Sequence, residues 1–177
     1  FYSNNLTTVD IPESVTTLGG GAFASNNLKG ENAFIYGRNS NGTTNYTVLN
    51  SYASKGNLEM SIPSTIKTIA YRCFRGAGIT EIDIPSNVEE IGGNAFTNVG
   101  LKKVTLHDGL KTISYLAFRG KSLTEITIPN TVETIGTEAF RWNKLTKVTI
   151  GSGIKTMSSN AFKAEDNYNQ IDSFTIN

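Results

Sequence analysis

Residue types that catalyse reactions or bind metals are scarce in this sequence. Its 177 residues include one His, His107, and one Cys, Cys73. Hydroxyl groups are abundant, but one His without recognisable partners does not define a Ser-His-Asp triad, and Asp108 need not face its neighbour His107 within a turn. One Cys excludes an internal disulfide framework and a multi-Cys metal cluster. We therefore predict no catalytic residue, no metal site and no cofactor, and expect that this chain is not an enzyme.

The charge balance and the hydrophobic pattern exclude further classes of protein. The sequence has 16 Lys and Arg residues against 15 Asp and Glu residues, which gives a formal net charge of +1. Nucleic-acid-binding proteins carry a strongly basic face, so this balance argues against a nucleic-acid partner. No apolar run approaches the roughly 20 residues that a membrane-spanning helix needs, so we expect no membrane insertion within this segment.

Other residues are suited to recognising a partner rather than to transforming one. The residue after a regularly spaced Phe is basic at Arg119 and Arg141, and Trp142 comes next, with Tyr115 close by in sequence. A basic ridge beside an exposed Trp could hold acidic glycans or carboxylates. The alternative is a solvated edge on which Arg stems cover apolar surface. Arg119, Arg141, Trp142 and Tyr115 are thus candidate partner-binding residues.

Residues 33–53 form an aromatic-rich segment of different character. β-prone stretches end at Tyr36 and begin at Tyr46, and Asn41-Gly42 lies between them. Because Asn-Gly is the strongest short hairpin signal, we predict an inserted β-hairpin within the first coils. Tyr is enriched at binding hot spots, so Tyr36 and Tyr46 are also candidate partner-binding residues. The alternative is that these tyrosines simply cover the exposed core of the first coil.

The elements that must position these residues are repeats of 22 residues. Phe recurs at this spacing, and so do two columns of aliphatic residues and all but one of the prolines. The Phe residues are Phe74, Phe96, Phe118, Phe140 and Phe162. Ile11 and Ile62 are 51 residues apart, one period plus 29, so an insertion lies within roughly 28–57. Such periodicity predicts a solenoid in which each coil contacts its neighbours.

One unit shows how a coil is built. In Leu123-Thr-Glu-Ile126-Thr-Ile128, alternating β-branched residues predict a short strand, which Pro129 then ends. Equivalent strands in register form a parallel sheet in which neighbouring strands lie about 4.8 Å apart. The following Ala-Phe pair is expected in a helical or 3₁₀ turn, with its ring in a stacked interior column. The outward strand face is either a ligand platform or a self-neutralised surface, since Glu81, Lys103, Glu125 and Lys147 alternate in sign.

The unit pattern L-x-x-I-x-I-P-x-x-V-x-x-I-x-x-x-A-F resembles the BspA-type leucine-rich repeat. The resemblance implies a right-handed, β-rich leucine-rich-repeat solenoid with one parallel sheet and short helical or 3₁₀ turns. It also implies a bacterial protein that is extracellular or on the cell surface, used in adhesion or host contact. The repeat family contributes no enzymatic residues. We expect residues 1–177 to be a single repeat array and a fragment of a longer protein, because the first residues already match the interior of a repeat.

Three functions remain open from the sequence. The first is a non-catalytic module that binds a protein or glycan partner, for example a host or matrix component. The second is a structural spacer, and the third is an array that targets another functional domain of the same protein. Exposed strands at the ends of an array can also pair with a second copy, so self-association is a further expectation.

Overall fold

In the computed structural model, which describes residues 1–57, 61–165 and 167–177, the chain winds into a solenoid of short strands and turns. The described residues contain one 3₁₀ helix, Gly30–Ala33. The first strands are β1 Phe34–Arg38, β2 Thr44–Tyr52, β3 Thr68–Ile69, β4 Glu81–Ile84, β5 Glu90–Ile91 and β6 Lys103–Leu106. The remaining strands are β7 Thr112–Ile113, β8 Glu125–Ile128, β9 Thr134–Ile135, β10 Lys147–Ile150, β11 Thr156–Met157 and β12 Ser173–Ile176.

The predicted strands of each unit pair in parallel with their equivalents one coil away. Strand β4 pairs with β6, and β10 pairs with both β8 and β12. Inward residues such as Ile126 and Ile128 are buried, and outward residues such as Glu125 are exposed. The described strands of this face form two sheets, since β6 and β8 are not hydrogen-bonded. Pro129 contributes to this break, because proline has no backbone N–H. At the equivalent position one coil later, Gly151 N–H donates to Ile128 O.

A second parallel ladder, which the sequence analysis did not separate from the first, runs along another side of the coils. The two-residue strands β3, β5, β7, β9 and β11 pair in order, and β2 and β1 extend them to a seven-stranded sheet. Their inward residues Ile69, Ile91, Ile113 and Ile135 are each no more than 1% exposed. This second ladder continues past the β6–β8 break in the first one, so neighbouring coils stay hydrogen-bonded there.

The Ala-Phe turns close each coil and carry the interior column of rings. Ala95 N–H donates to Gly92 O at 3.2 Å and Thr97 N–H to Asn94 O at 3.1 Å, bonds of the 3₁₀ type. Adjacent rings from Tyr52 through Phe162 lie 4.8 to 5.4 Å apart between centroids. The predicted solenoid, with its parallel strands and tight turns, is therefore confirmed.

The predicted inserted hairpin is also confirmed. Strands β1 and β2 pair antiparallel from Phe34 opposite Tyr52 to Arg38 opposite Thr44. The connecting loop has Gly42 in the left-handed region, with a φ of 83°. The hairpin does not stand apart from the array, because β2 also pairs in parallel with β3. Its last residue, Tyr52, is 2% exposed and begins the stacked column of rings.

Candidate functional site

Trp142 lies in a turn whose backbone is unusual for a bulky residue. Its φ is 64°, in the left-handed region. The residues one to three coils earlier at the same position include Asn98 at 61° and Gly76 at 73°, types that adopt this conformation readily. A left-handed conformation costs other residue types roughly 1–2 kcal/mol. Leu116 at 54° and Glu138 at 56° also lie in this region, so the conformation recurs in the turns and the contacts of the Trp142 ring decide its role.

Two guanidinium groups meet the Trp142 ring. The guanidinium carbon of Arg119, from the preceding coil, lies 3.9 Å from the ring centroid, and that of Arg141 lies 4.7 Å from it. Both distances are within the roughly 6 Å reach of a cation–π interaction. The regular spacing of the coils therefore brings together three of the residues singled out from the sequence.

Glu165 is an acidic residue that contacts both Trp142 and Arg141. The indole N–H of Trp142 donates to Glu165 Oε2 at 2.5 Å, and Arg141 donates to Glu165 Oε1 at 2.8 Å. Lys163 Nζ lies 3.2 Å from the same oxygen, and Glu138 accepts from Arg141 at 2.7 Å. The indole hydrogen bond, with help from Lys163 and Arg141, holds the pKa of Glu165 below its ordinary value.

The charges of this cluster are unequally satisfied. Arg141 is shared between Glu138 and Glu165, and Lys163 also pairs with Glu165. Arg119 stacks on Trp142 but forms no ion pair with any residue that the structure describes. The predicted basic ridge is thus largely neutralised internally, and Arg119 is the member whose charge stays available for a ligand.

A shallow cavity of about 310 Å³ opens beside Arg119 and Trp142. Residues of three successive coils line it, among them Asn98, Lys121 and Ser122. Two cationic groups, an amide and a hydroxyl around one aromatic ring form a surface that can accept a carboxylate. Arg suits this role because its planar fork can donate two parallel hydrogen bonds to a carboxylate.

Tyr115 takes a different position from the other three residues of the ridge. Its ring lies over the backbone of Gly93, where an added methyl carbon would overlap Tyr115 Cε1. The ring centroid is 6.3 Å from that of Tyr71, and 49% of Tyr115 is exposed. Tyr115 therefore belongs to a tyrosine pair around Gly93, and it does not line the cavity beside Trp142.

Tyr36 and Tyr46 form a separate aromatic pair on the hairpin. Their ring centroids are 5.0 Å apart with planes inclined by 58°. Both rings line a cavity of about 580 Å³ between the hairpin and the first coil. Burial, and then the charge of Glu31, raise the pKa of the Tyr36 hydroxyl, so this group stays a hydrogen-bond donor at neutral pH.

The structure also shows polar features that the sequence analysis missed. Ion pairs join Lys67, Glu89 and Lys111 across successive coils at 3.4 and 2.6 Å, and Lys155 pairs with Glu133 at 2.9 Å. These residues recur every 22 positions with alternating sign, a signal that was present in the sequence. In the outward column predicted to be self-neutralised, Glu81 lies opposite Lys103 as expected. The described residues of this column nevertheless form no ion pairs with one another.

A buried asparagine also went unrecognised. Asn143 is 1% exposed, donates to the carbonyls of Phe118 and Phe140 at 2.8 and 3.1 Å, and accepts from Leu123 N–H at 3.2 Å. It therefore ties three backbone segments of two coils beside the Trp142 turn. Its polar type alone suggested a surface residue, since Asn is mostly exposed in proteins.

The described residues hold no cluster of three or more His, Cys, Asp or Glu side chains arranged to bind a metal ion. Cys73 is buried, and burial raises the pKa of its thiol well above the ordinary value. Among the described residues, no helix has the length and apolar character needed to cross a bilayer.

Comparison with solved structures identifies the same architecture in bacterial proteins. A leucine rich cell surface protein from Faecalibacterium prausnitzii A2-165 superposes with a TM-score of 0.76 at 22% identity, over 99% of this chain and 49% of that one. The pneumococcal vaccine antigen PcpA gives 0.65 at 22% identity, over 94% and 49%. A leucine-rich repeat protein from Eubacterium ventriosum gives 0.55 at 25% identity, over 93% and 56%. The chain thus spans about half the length of these proteins.

The sequence was also compared with curated proteins and with known families. None of the curated proteins matches it. The BspA type leucine rich repeat region matches residues 1–37 and 48–169 in six copies, and the break between the two ranges falls within the hairpin. The match therefore covers most of the chain. The chain belongs to the BspA-type leucine-rich repeat family.

Proposed function

We propose that this chain is a non-catalytic interaction module of a bacterial surface or secreted protein, used in adhesion to a protein or glycan partner such as a host or matrix component. Family membership supports a repeat module, and two similar structures are named as a cell surface protein and a vaccine antigen. The contact site is the cavity beside Arg119 and Trp142, and its ligand presents a carboxylate.

A single observation carries this proposal: Arg119 lies 3.9 Å above a Trp ring, at a cavity, with no acidic partner among the described residues. Stacking orients the guanidinium and leaves its N–H groups for the ligand. Arg141 and Glu165 act as positioning residues, because their hydrogen bonds hold the indole in its left-handed turn. A structural role alone does not account for Trp142, since Asn or Gly would fit this backbone without strain.

The test is binding of the 177-residue chain to arrays of acidic glycans and matrix proteins, followed by titration of the strongest ligand. Arg119→Gln is expected to weaken binding about tenfold or more, as truncation of an Arg hot spot does. The matched control is Arg72→Gln, which removes an Arg that stacks on Tyr71 at 4.6 Å away from the cavity. Equal binding by the folded Arg119→Gln variant and the original chain contradicts the proposal.

Trp142→Gly separates binding from folding. This change relieves roughly 1–2 kcal/mol of backbone strain while it removes the cation–π contacts and the indole hydrogen bond. The free energy of unfolding is therefore expected to stay within about 1 kcal/mol of the original, whereas ligand binding is lost. A variant that binds normally shows that the ring serves neither the ligand nor its positioning.

The main alternative is a structural spacer, or an array that targets another domain of the protein. The ion pairs that neutralise Glu89 and Glu133 against neighbouring lysines favour it, since such a surface has few unsatisfied charges. It predicts that substitutions at Arg119 and Trp142 leave attachment of the full-length protein unchanged. The same substitutions therefore decide between the two functions.

A further inference from the structure

The inserted hairpin folds against the first coil and creates a site that regular coils do not have. Arg38 donates to the backbone carbonyl of Ile11, to Gly42 O at 3.2 Å and to Thr44 Oγ1 at 3.1 Å. The hairpin loop approaches the first coil so closely that a methyl carbon on Gly42 would overlap Glu13 O. Arg38 thus links the hairpin to the first coil, and Gly42 allows the two to lie in contact. The hairpin and the first coil form the two walls of the cavity.

The cavity between these walls has the size of a small-molecule site. Its volume of about 580 Å³ lies within the range of roughly 300–1,000 Å³ that is typical of ligand pockets. One side presents the rings of Tyr36 and Tyr46, and the polar lining is mainly hydroxyl and amide groups. The polar residues are Thr7, Thr8, Glu31, Asn32, Arg38 and Thr44.

The hairpin tyrosines have separate roles, which distinguishes ligand binding from covering of the core. Tyr52 is 2% exposed and stacks on Phe74, so it is part of the hydrophobic core. Tyr46 is 59% exposed and contacts the ring of Tyr36 at the cavity. Since Phe34, Ile35 and Leu49 are buried in the core cluster, the core is already closed without Tyr46.

The charges around the cavity favour an uncharged, hydroxyl-rich ligand. The terminal nitrogens of Arg38 are occupied by carbonyl and hydroxyl groups of the protein, so this cation is used to hold the walls. Glu31 forms no ion pair with the described residues and offers two acceptor oxygens. Threonine hydroxyls both donate and accept, and the Asn32 amide does so through separate atoms.

We propose that this hairpin cavity binds a neutral saccharide of one or two rings, with an apolar face of the sugar on Tyr36 and Tyr46 and its hydroxyl groups on Glu31, Asn32 and Thr44. Aromatic rings supply a large contact area at little conformational cost, and a carboxylate accepts two hydroxyl donors at once. The inference deepens the proposed interaction function, on which it rests, by assigning a ligand class to the hairpin end. It does not depend on the Arg119 site.

The test is saturation-transfer NMR of the 177-residue chain with maltose, cellobiose, lactose and N-acetyllactosamine, followed by amide shift mapping on labelled protein. At least one sugar is expected to receive saturation and to shift amides of β1, β2 and residues 7–11. Tyr46→Ala and Glu31→Gln are each expected to weaken this binding about tenfold. Tyr71→Ala is the matched control, because Tyr71 packs against Arg72 and Tyr115 away from the hairpin and should leave binding unchanged.

Three outcomes overturn the inference. One is that no sugar of the panel transfers saturation to the folded chain, and another is that binding survives in folded Tyr46→Ala protein. The third is that tetramethylammonium or glucuronate binds this cavity in preference to the neutral sugars. Because the Arg119→Gln titration with acidic ligands is a separate experiment, failure here is distinguishable from failure of the proposed function.

Discussion

The regular coils from residue 61 to 163 and the hairpin end build surface chemistry in different ways. In the regular coils, equivalent residues pair 22 positions apart, as Ile69 does with Ile91. At the hairpin, Leu49 pairs with Ile69 only 20 positions away. A regular coil presents mainly the side chains of its outward columns, and we place the proposed Arg119 site at one unusual residue of such a column, Trp142. An irregular coil offers a cavity shaped by the backbone itself.

The two regions also differ in what a substitution removes. In the regular coils the interior rings are shared between neighbours, so each one supports three coils. On the hairpin, Tyr36 and Tyr46 contact each other and the cavity but lie outside the stacked column. The comparison teaches that the shared interior contacts lie at the periodic positions, whereas the two sites that we propose lie at one atypical residue, Trp142, and at one irregular segment, the hairpin.

Phe118→Ala provides the largest test of this comparison. Phe118 is 2% exposed and stacks on Phe96 and Phe140 at 5.0 and 5.4 Å. Its loss leaves a cavity in the core and is expected to reduce the free energy of unfolding by about 3–5 kcal/mol. Tyr46→Ala, on the exposed hairpin face, is expected to change it by less than about 0.5 kcal/mol. Urea denaturation of both variants measures the difference, and similar losses would break the comparison.

Gly42→Ala should have an intermediate effect that stays local. Gly42 has a φ of 83° and approaches Glu13 O, so a side chain there strains the loop and pushes the hairpin from the first coil. We expect a cost of roughly 1–3 kcal/mol, seen as faster amide hydrogen exchange in β1 and β2.

Gly100→Ala is the control, because no atom lies within 4 Å of an added methyl carbon. Uniform acceleration of exchange across all coils in Gly42→Ala would show that the hairpin is an integral part of the periodic core.

Acid titration gives the smallest effect and compares two carboxylates. Glu165 beside Trp142 and Glu89 between Lys111 and Lys67 both have pKa values below the ordinary value, through hydrogen bonds to these partners. A lowered folded-state pKa means that the stabilisation is present above the unfolded value of about 4.3 and is lost as pH falls through the folded value.

Trp142 is the single Trp of the sequence, so Trp fluorescence reports on the surroundings of one indole, whose N–H donates to Glu165. We expect a fluorescence transition with a midpoint below about pH 4.3, which Glu165→Gln abolishes and Glu89→Gln leaves unchanged. A transition that persists in Glu165→Gln would mean that the indole senses general unfolding instead.

The repeat itself was predictable from the residues, for a simple reason. A coil of fixed length stacks its equivalent positions directly on one another, so a 22-residue spacing in sequence becomes contact in space. The Phe column, the parallel register of Glu125 with Lys147, and the approach of Arg119 to Trp142 all follow from that rule. The Asn41-Gly42 signal likewise predicted the hairpin from local turn chemistry alone.

What the spacing could not supply are contacts that do not repeat. Glu165 follows Phe162 in a unit with four extra residues, so its hydrogen bond to the Trp142 indole depends on the path of that longer turn. The bond from Arg38 to Ile11 and the buried role of Asn143 depend on how irregular backbone packs against its neighbours. Periodicity determined which residues share a column, and tertiary packing decided which side chains keep a free charge, because only packing sets the partners each one finds.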